Sequence, residues 1–283
     1  MPEIIIPMIT PFERGEMDKE TLRNFISYAA ENGFDGLFPG GSTGGFASLS
    51  QEQHKKLLEE VIEESTGLNL FAGICRNNLE ETLELGKYAI DLGYHNIVSI
   101  NPFYHKFSER VTEHFFETLL DKLDAELFIY NNPSLSGSWL SPAMVSRLKD
   151  SYSNLAGMKD SGNDFSVFKE YISIKGLKVY QGKDAMLAES LKVGAYGGVC
   201  STANFCLNTL LIAKGKMDVN EASIKTKALV QAVAKYEVPA IHNYLFRKLI
   251  MHETSPENYI NSPFLDLDPL PDIGEFRELC LLP

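Results

Sequence analysis

Three short runs carry residues that can do chemistry together. "LAGMKDSG", residues 155–162, reads as a short buried strand that ends on Lys159 and turns at Asp160, Ser161 and Gly162. Burying an ammonium is costly, so Lys159 is either a solvated charge at a strand end or a working amine. Desolvation favours the neutral form of an amine, and a neutral amine attacks a ketone to form a Schiff base. The iminium is an electron sink, so a carbon–carbon bond beta to it can break or form. "FIYNNPSLSG", residues 128–137, ends an apolar run on Tyr130 before Asn131, Asn132 and Pro133 turn the chain. A tyrosine there is a packing residue with a wet hydroxyl or a proton carrier. "PGGSTGG", residues 39–45, sets four glycines around Ser42 and Thr43. Such a segment lets the backbone approach a ligand closely, and its hydroxyl and amide protons suit a carboxylate or phosphate. It is otherwise a flexible glycine turn. Residues 40–44 also match G-x-S-x-G, the nucleophile elbow of serine hydrolases.

The elements that would position these groups repeat along the chain. The apolar runs "EIIIPMI", "DGLFPGG", "NLFAGIC", "NIVSI", "ELFIYN", "LAGMK", "LKVYQG" and "GGVCS" each precede a helical stretch. Those stretches cover residues 19–31, 51–64, 79–92, 109–123, 141–149, 164–174, 184–193 and 207–214. Asp18, Ser50, Ser108 and Ser141-Pro142 stand where helix N-caps belong. Each unit takes about 28 residues, a normal βα length. Eight units predict an α/β fold, a (β/α)8 TIM barrel; a doubly wound open sheet is the competitor, because periodicity does not prove closure. The expected organisation is one domain over residues 1–283, with the barrel in about 1–215 and a helical C-terminal extension in about 216–283. Within the extension, residues 255–276 read as an irregular, proline-rich excursion. In a barrel, functional groups lie at the carboxyl ends of strands; all three runs fall there.

Composition narrows the function classes. Thirty-eight acidic side chains against 26 basic ones give a net charge of -12, which disfavours nucleic acid and anionic membranes. One local cation can still hold a small anionic substrate. The opening "MPEIIIPMITPF" lacks the basic region of a secretion signal and is broken by Pro7 and Pro11, and no apolar run suits a membrane span, so a cytoplasmic protein is expected. The scattered Cys75, Cys200, Cys206 and Cys280 read as reduced buried thiols. No HExxH or CxxC accompanies the six histidines, so no metal site is expected.

"GGSTGG", "YNNPSLSG" and "GMKDSG" resemble the signature segments of the dihydrodipicolinate synthase / N-acetylneuraminate lyase family of class I aldolases. "PFY" (residues 102–104), "YQGKD" and "GGVCSTAN" resemble further family segments, in order along the whole barrel. Within the family, "PEIIIPMITPF" and "QGKDAMLAESLKVGAYGGVCSTANF" look closest to archaeal 2-keto-3-deoxygluconate aldolases. The resemblance implies Lys159 as the Schiff-base lysine and Tyr130 as the proton shuttle. It implies that Ser42 and Thr43 hold the pyruvoyl carboxylate, and that Tyr104 reaches a neighbouring subunit's site. Asn131, Ser161, Gly182, Asp184 and Ser201 would complete the substrate pocket. It implies no cofactor, a small-molecule substrate (a 2-keto sugar acid, pyruvate or an aldehyde), and a homotetramer built as a dimer of dimers.

Departures from the family pattern choose among members. Synthases that bind aspartate semialdehyde have an arginine where this chain has Leu135, so a second carboxylate loses its bidentate partner. Leu135 and "LSG" resemble the neuraminate lyases, but those carry a glutamate, which grips the long sugar tail, where this chain has Ala185. Gly45 replaces a glutamate common after the S/T-T-G segment, and Phe103 replaces one of the paired tyrosines. The expectation is an aldolase that cleaves 2-keto-3-deoxygluconate to pyruvate and glyceraldehyde, as in a nonphosphorylative or branched Entner–Doudoroff route. N-acetylneuraminate cleavage, or another pyruvate-dependent aldol reaction, is the runner-up. A serine hydrolase using Ser42 lacks an upstream "HGGG" oxyanion segment, and a non-catalytic sugar-acid sensor would not need every catalytic position filled. Lys106 and Arg110 are the candidate partners for a phosphate, if they are not simply solvated.

Overall fold

A computed structural model describes residues 1–216, 218–254 and 261–283. Eight parallel strands are followed in turn by helices: β1 (Glu3–Ile6), β2 (Gly36–Leu37), β3 (Asn69–Gly73), β4 (Asn96–Ile100), β5 (Glu126–Asn131), β6 (Leu155–Asp160), β7 (Lys178–Gln181) and β8 (Gly197–Val199). β1 pairs with both β2 (Ile5↔Gly36) and β8 (Ile4↔Gly198), so the sheet closes and the open-sheet alternative falls. The helices are α1 (Lys19–Asn32), α2 (Gln51–Glu64), α3 (Leu79–Asp91), α4 (Glu109–Lys122), α5 (Pro142–Ser151), α6 (Phe165–Ser173), α7 (Leu187–Lys192) and α8 (Asn208–Lys214). Beyond them lie α9 (Val219–Val233), α10 (Ala240–Leu249) and α11 (Ile273–Leu279). The expected caps form: Asp18, Ser50, Ser108 and Ser141 each accept a hydrogen bond from the first turn of the helix that follows, and Ser50 closes a capping box with Gln53.

Three features depart from the sequence-based expectation. A two-residue turn through Arg14 and Gly15, both at positive φ, joins a small hairpin (Phe12–Glu13 with Glu16–Met17) ahead of α1, a turn geometry that suits paired strands. α7 is short because its first turn, Asp184–Met186, is a 3-10 turn. Of the expected irregular excursion, residues 255–260 lie outside the described residues, 261–272 hold no helix or strand, and α11 occupies the end of it. Arg247 of α10 is buried and ion-paired to Asp18 at 2.7 Å and Glu253 at 2.9 Å, which ties the C-terminal helices to the start of α1. No described helix is long and apolar enough to cross a membrane. All four cysteines are buried and none forms a disulfide.

Alternation along the strands decides what faces the barrel interior. On β5, Leu127 and Ile129 join the outer layer against the helices, while Phe128 and Tyr130 point inward with Ile5, Phe38, Phe71, Val98, Tyr180 and Val199. β6 does not alternate strictly. Leu155 and Met158, three residues apart, both face outward, because the register to β5 slips from Leu127↔Leu155 to Phe128↔Gly157 and Ala156 is the extra residue. Counted from Leu155 without that bulge, Lys159 would face the helices; with it, Lys159 faces the barrel interior, the re-aiming that bulges provide. Gly157 makes the bulge possible: a Cβ there would stand 2.4 Å from the Lys178 carbonyl oxygen and 2.7 Å from the Phe128 ring.

Candidate active site

The carboxyl ends of the strands surround a cavity of about 440 Å³. Lys159 enters it from the end of β6, only 6% exposed, paired across the ladder with Tyr130 on β5 and Tyr180 on β7. Its ammonium lies 4.3 Å from the Tyr130 ring centroid and 5.4 Å from that of Phe38, contacts that favour a cation against aromatic faces. Beneath it the inward aromatic and aliphatic side chains fill the barrel, so the amine is reached from the mouth alone. Burial pushes the Tyr130 phenol up, but the Lys159 charge and the polar Ser161, Asn132 and Ser42 side chains around it outweigh it and hold the phenol below its ordinary value. The Asn132 amide donates to Tyr130 Oη at 2.8 Å, and Ser134 Oγ donates to Asn132 Oδ1 at 2.7 Å. A phenol held this way beside an amine suits proton transfer at the cavity's floor.

The loop after β2 folds into a 3-10 turn, Ser42–Gly44, that brings Ser42 and Thr43 to the cavity wall. Ser42 Oγ is buried, faces Tyr130 and has no well-formed hydrogen-bond partner among the described residues. An unspent buried hydroxyl is a group that a ligand oxygen can satisfy. Ser161, Gly182, Asp184 and Ser201 also reach the cavity, as expected. Asp184, however, spends its carboxylate on the β8 loop: it accepts from Ser201 N at 3.2 Å, Thr202 N at 2.8 Å and Thr202 Oγ1 at 2.5 Å. Its evident work is to hold Ser201 and Thr202 in place.

Two expected residues stand elsewhere. Asn131 does not line the cavity. Alternation turns it outward, where its amide donates to Asp160 Oδ1 at 2.6 Å and its oxygen accepts from Leu140 N at 3.1 Å. It therefore positions the ends of β5 and β6, and Asn132, the next inward residue, takes the place at the cavity. Tyr104 is 87% exposed at positive φ and outside this cavity. Lys106 and Arg110 are exposed and also outside it. Sequence reasoning missed Asn132, Pro7 and Thr202, and a wall from the C-terminal helices formed by Val230, Val233, Val238 and His242. Burial drives the His242 imidazole down to about 4, so it is neutral at pH 7.

Residues 1–247 match the dihydrodipicolinate synthetase family. The chain belongs to that family. A 2-dehydro-3-deoxy-D-gluconate/2-dehydro-3-deoxy-phosphogluconate aldolase of Picrophilus torridus is 31% identical over 250 residues, covering 85% of this chain and 93% of the relative. A solved 2-keto 3-deoxygluconate aldolase from Picrophilus torridus superposes with a TM-score of 0.86 at 30% identity, over 94% of this chain and 98% of that one. A 4-hydroxy-tetrahydrodipicolinate synthase of Methanococcus maripaludis is 30% identical over 198 residues, covering 70% of this chain and 68% of the relative. This member of the dihydrodipicolinate synthetase family is an aldolase or lyase by kinship, and both named activities have relatives near it. The two positions that depart from its synthase and neuraminate-lyase patterns, Leu135 and Ala185, both line the cavity. The other two, Gly45 and Phe103, border an adjoining recess of about 210 Å³ with Phe46 and Phe264.

Proposed function

We propose that this family member is a class I aldolase that reversibly cleaves 2-keto-3-deoxygluconate to pyruvate and glyceraldehyde. The observation that carries the reading is a buried lysine amine against a phenol, with the unspent Ser42 hydroxyl beside them, in one cavity. Lys159 attacks the C2 ketone, and loss of water leaves an iminium. Tyr130 takes the C4 hydroxyl proton as the C3–C4 bond breaks; the bond's electrons enter the iminium, giving an enamine and free glyceraldehyde. Protonation of C3 and hydrolysis release pyruvate and the amine. Ser42 and Thr43 hold the carboxylate with hydroxyl and backbone donors. Tyr104, exposed and away from its own cavity, fits a residue that completes a neighbouring copy's site in a homotetramer.

The substrate rests on the wall. Leu135 offers no cation to a second carboxylate, and Ala185 offers nothing to grip a long sugar tail. Pyruvate release should therefore be fast from 2-keto-3-deoxygluconate and about 10²-fold or more slower from N-acetylneuraminate, since a missing polar contact lowers kcat/KM steeply. Faster cleavage of N-acetylneuraminate, or condensation of pyruvate with aspartate semialdehyde outpacing both, would sink this assignment. Gly182 tests the packing around the amine. A Cβ there would stand 2.1 Å from Ser161 Oγ and 3.0 Å from Lys159 Cε. Gly182→Ala should slow borohydride trapping of pyruvate about 10²-fold, the cost of displacing a reacting group by about an ångström. Trapping at the wild-type rate would mean that the lysine has room to spare.

A further inference from the structure

Two cationic side chains line the cavity among the described residues, Lys159 and Lys183. The proposed reaction uses the first and leaves the second without a task. Lys183 follows β7 and stands beside Asp184, yet no ion pair among the described residues includes it. The acidic groups around it are occupied. Asp184 is bonded to Ser201 and Thr202, and Asp160, which feels the Lys183 charge, is bonded to Asn131 and Gly162. In a chain with a net charge of -12, an unpaired cation in a cleft is where an anion is drawn in.

The substrate's keto-acid carboxylate already has a cradle, at Ser42 and Thr43 after β2. β7 lies three strands from β2 around the barrel (past β8 and β1), and Lys159 stands on β6, the neighbour of β7 on its other side. Lys183 thus faces a different side of the mouth. A second carboxylate asks for a planar bidentate partner, and the side chain at hand, Leu135, has none. A single ammonium with three donors suits a phosphate. The geometry points to Lys183 as the residue that selects acceptors, by binding a phosphate monoester on the end of the substrate remote from the keto acid. The assignment rests on the aldolase reading above. It also moves the phosphate contact away from the exposed Lys106 and Arg110.

The test is pyruvate condensation with three aldehydes: glyceraldehyde, glyceraldehyde 3-phosphate and, as the carboxylate-bearing probe, aspartate semialdehyde. It is run with the wild type, Lys183→Ala and Lys183→Arg. The kcat/KM ratio of glyceraldehyde 3-phosphate to glyceraldehyde should fall about tenfold to a hundredfold in Lys183→Ala, mainly through KM, and stay near wild type in Lys183→Arg. Added salt should lower that ratio in the wild type and much less in Lys183→Ala. Borohydride trapping of pyruvate in each variant shows that the site is folded. A ratio unmoved by Lys183→Ala, or a selective loss that falls on aspartate semialdehyde instead, overturns the assignment while leaving the aldolase reading intact. A wild type that traps pyruvate but condenses none of the sugar aldehydes overturns the aldolase reading and this assignment with it.

Discussion

Lys159→Ala should lose aldol cleavage by about 10⁴-fold or more, because of the two amines that line the cavity among the described residues, Lys159 is the one set against the Tyr130 phenol. The loss should lie in kcat, since the keto-acid carboxylate would still meet Ser42 and Thr43. Lys159→Arg should be as inactive: it keeps the charge against the Tyr130 and Phe38 rings but not a nucleophilic amine. Steady-state rates with the sugar acid, together with pyruvate binding by the variant, check this. An alanine variant within tenfold of wild type would assign the chemistry elsewhere, and labelling of Ser42 by a fluorophosphonate would revive a serine nucleophile.

Tyr130→Phe separates the two halves of the reaction. The ring would still pack inward beside Phe128, and Lys159 would keep an aromatic face 4.3 Å from its ammonium. The hydroxyl that accepts from Asn132 would be gone. Pyruvate should therefore still form its adduct, while cleavage of the sugar acid slows about 10²- to 10⁴-fold, the range for one positioned acid–base group. The Asn132 amide, left without its acceptor, should cost about 1–3 kcal/mol of stability, which thermal unfolding would register. Equal losses in trapping and turnover would make Tyr130 a packing residue; unchanged turnover would remove it from proton transfer.

The rhythm of the barrel was legible because the first six helices that follow strands each open on a capping side chain, among them Ser50 with Gln53, Ser108, and Ser141 before Pro142. Closure was not, since Ile4↔Gly198 joins residues from opposite ends of the barrel sequence. The three runs that meet at the cavity were visible as strand ends. The side on which each residue points was visible only where alternation is strict. On β5 it is, and counting from Tyr130 would have preferred Asn132 to Asn131. On β6 it is not: a one-residue bulge at Ala156 turns Lys159 inward, and a bulge has no reliable signature in an apolar run. The wall from Val230 to His242 is a product of tertiary packing, with α9 and α10 folded against the barrel mouth, and no local pattern announces it.

The proposed covalent link to substrate is at Lys159. Borohydride reduction of the wild-type protein with pyruvate, followed by peptide mass mapping, tests it directly. A single reduced pyruvate adduct should form, on Lys159, in step with the loss of activity. An adduct on Lys183 or any other lysine, or complete retention of activity with no adduct, would contradict it.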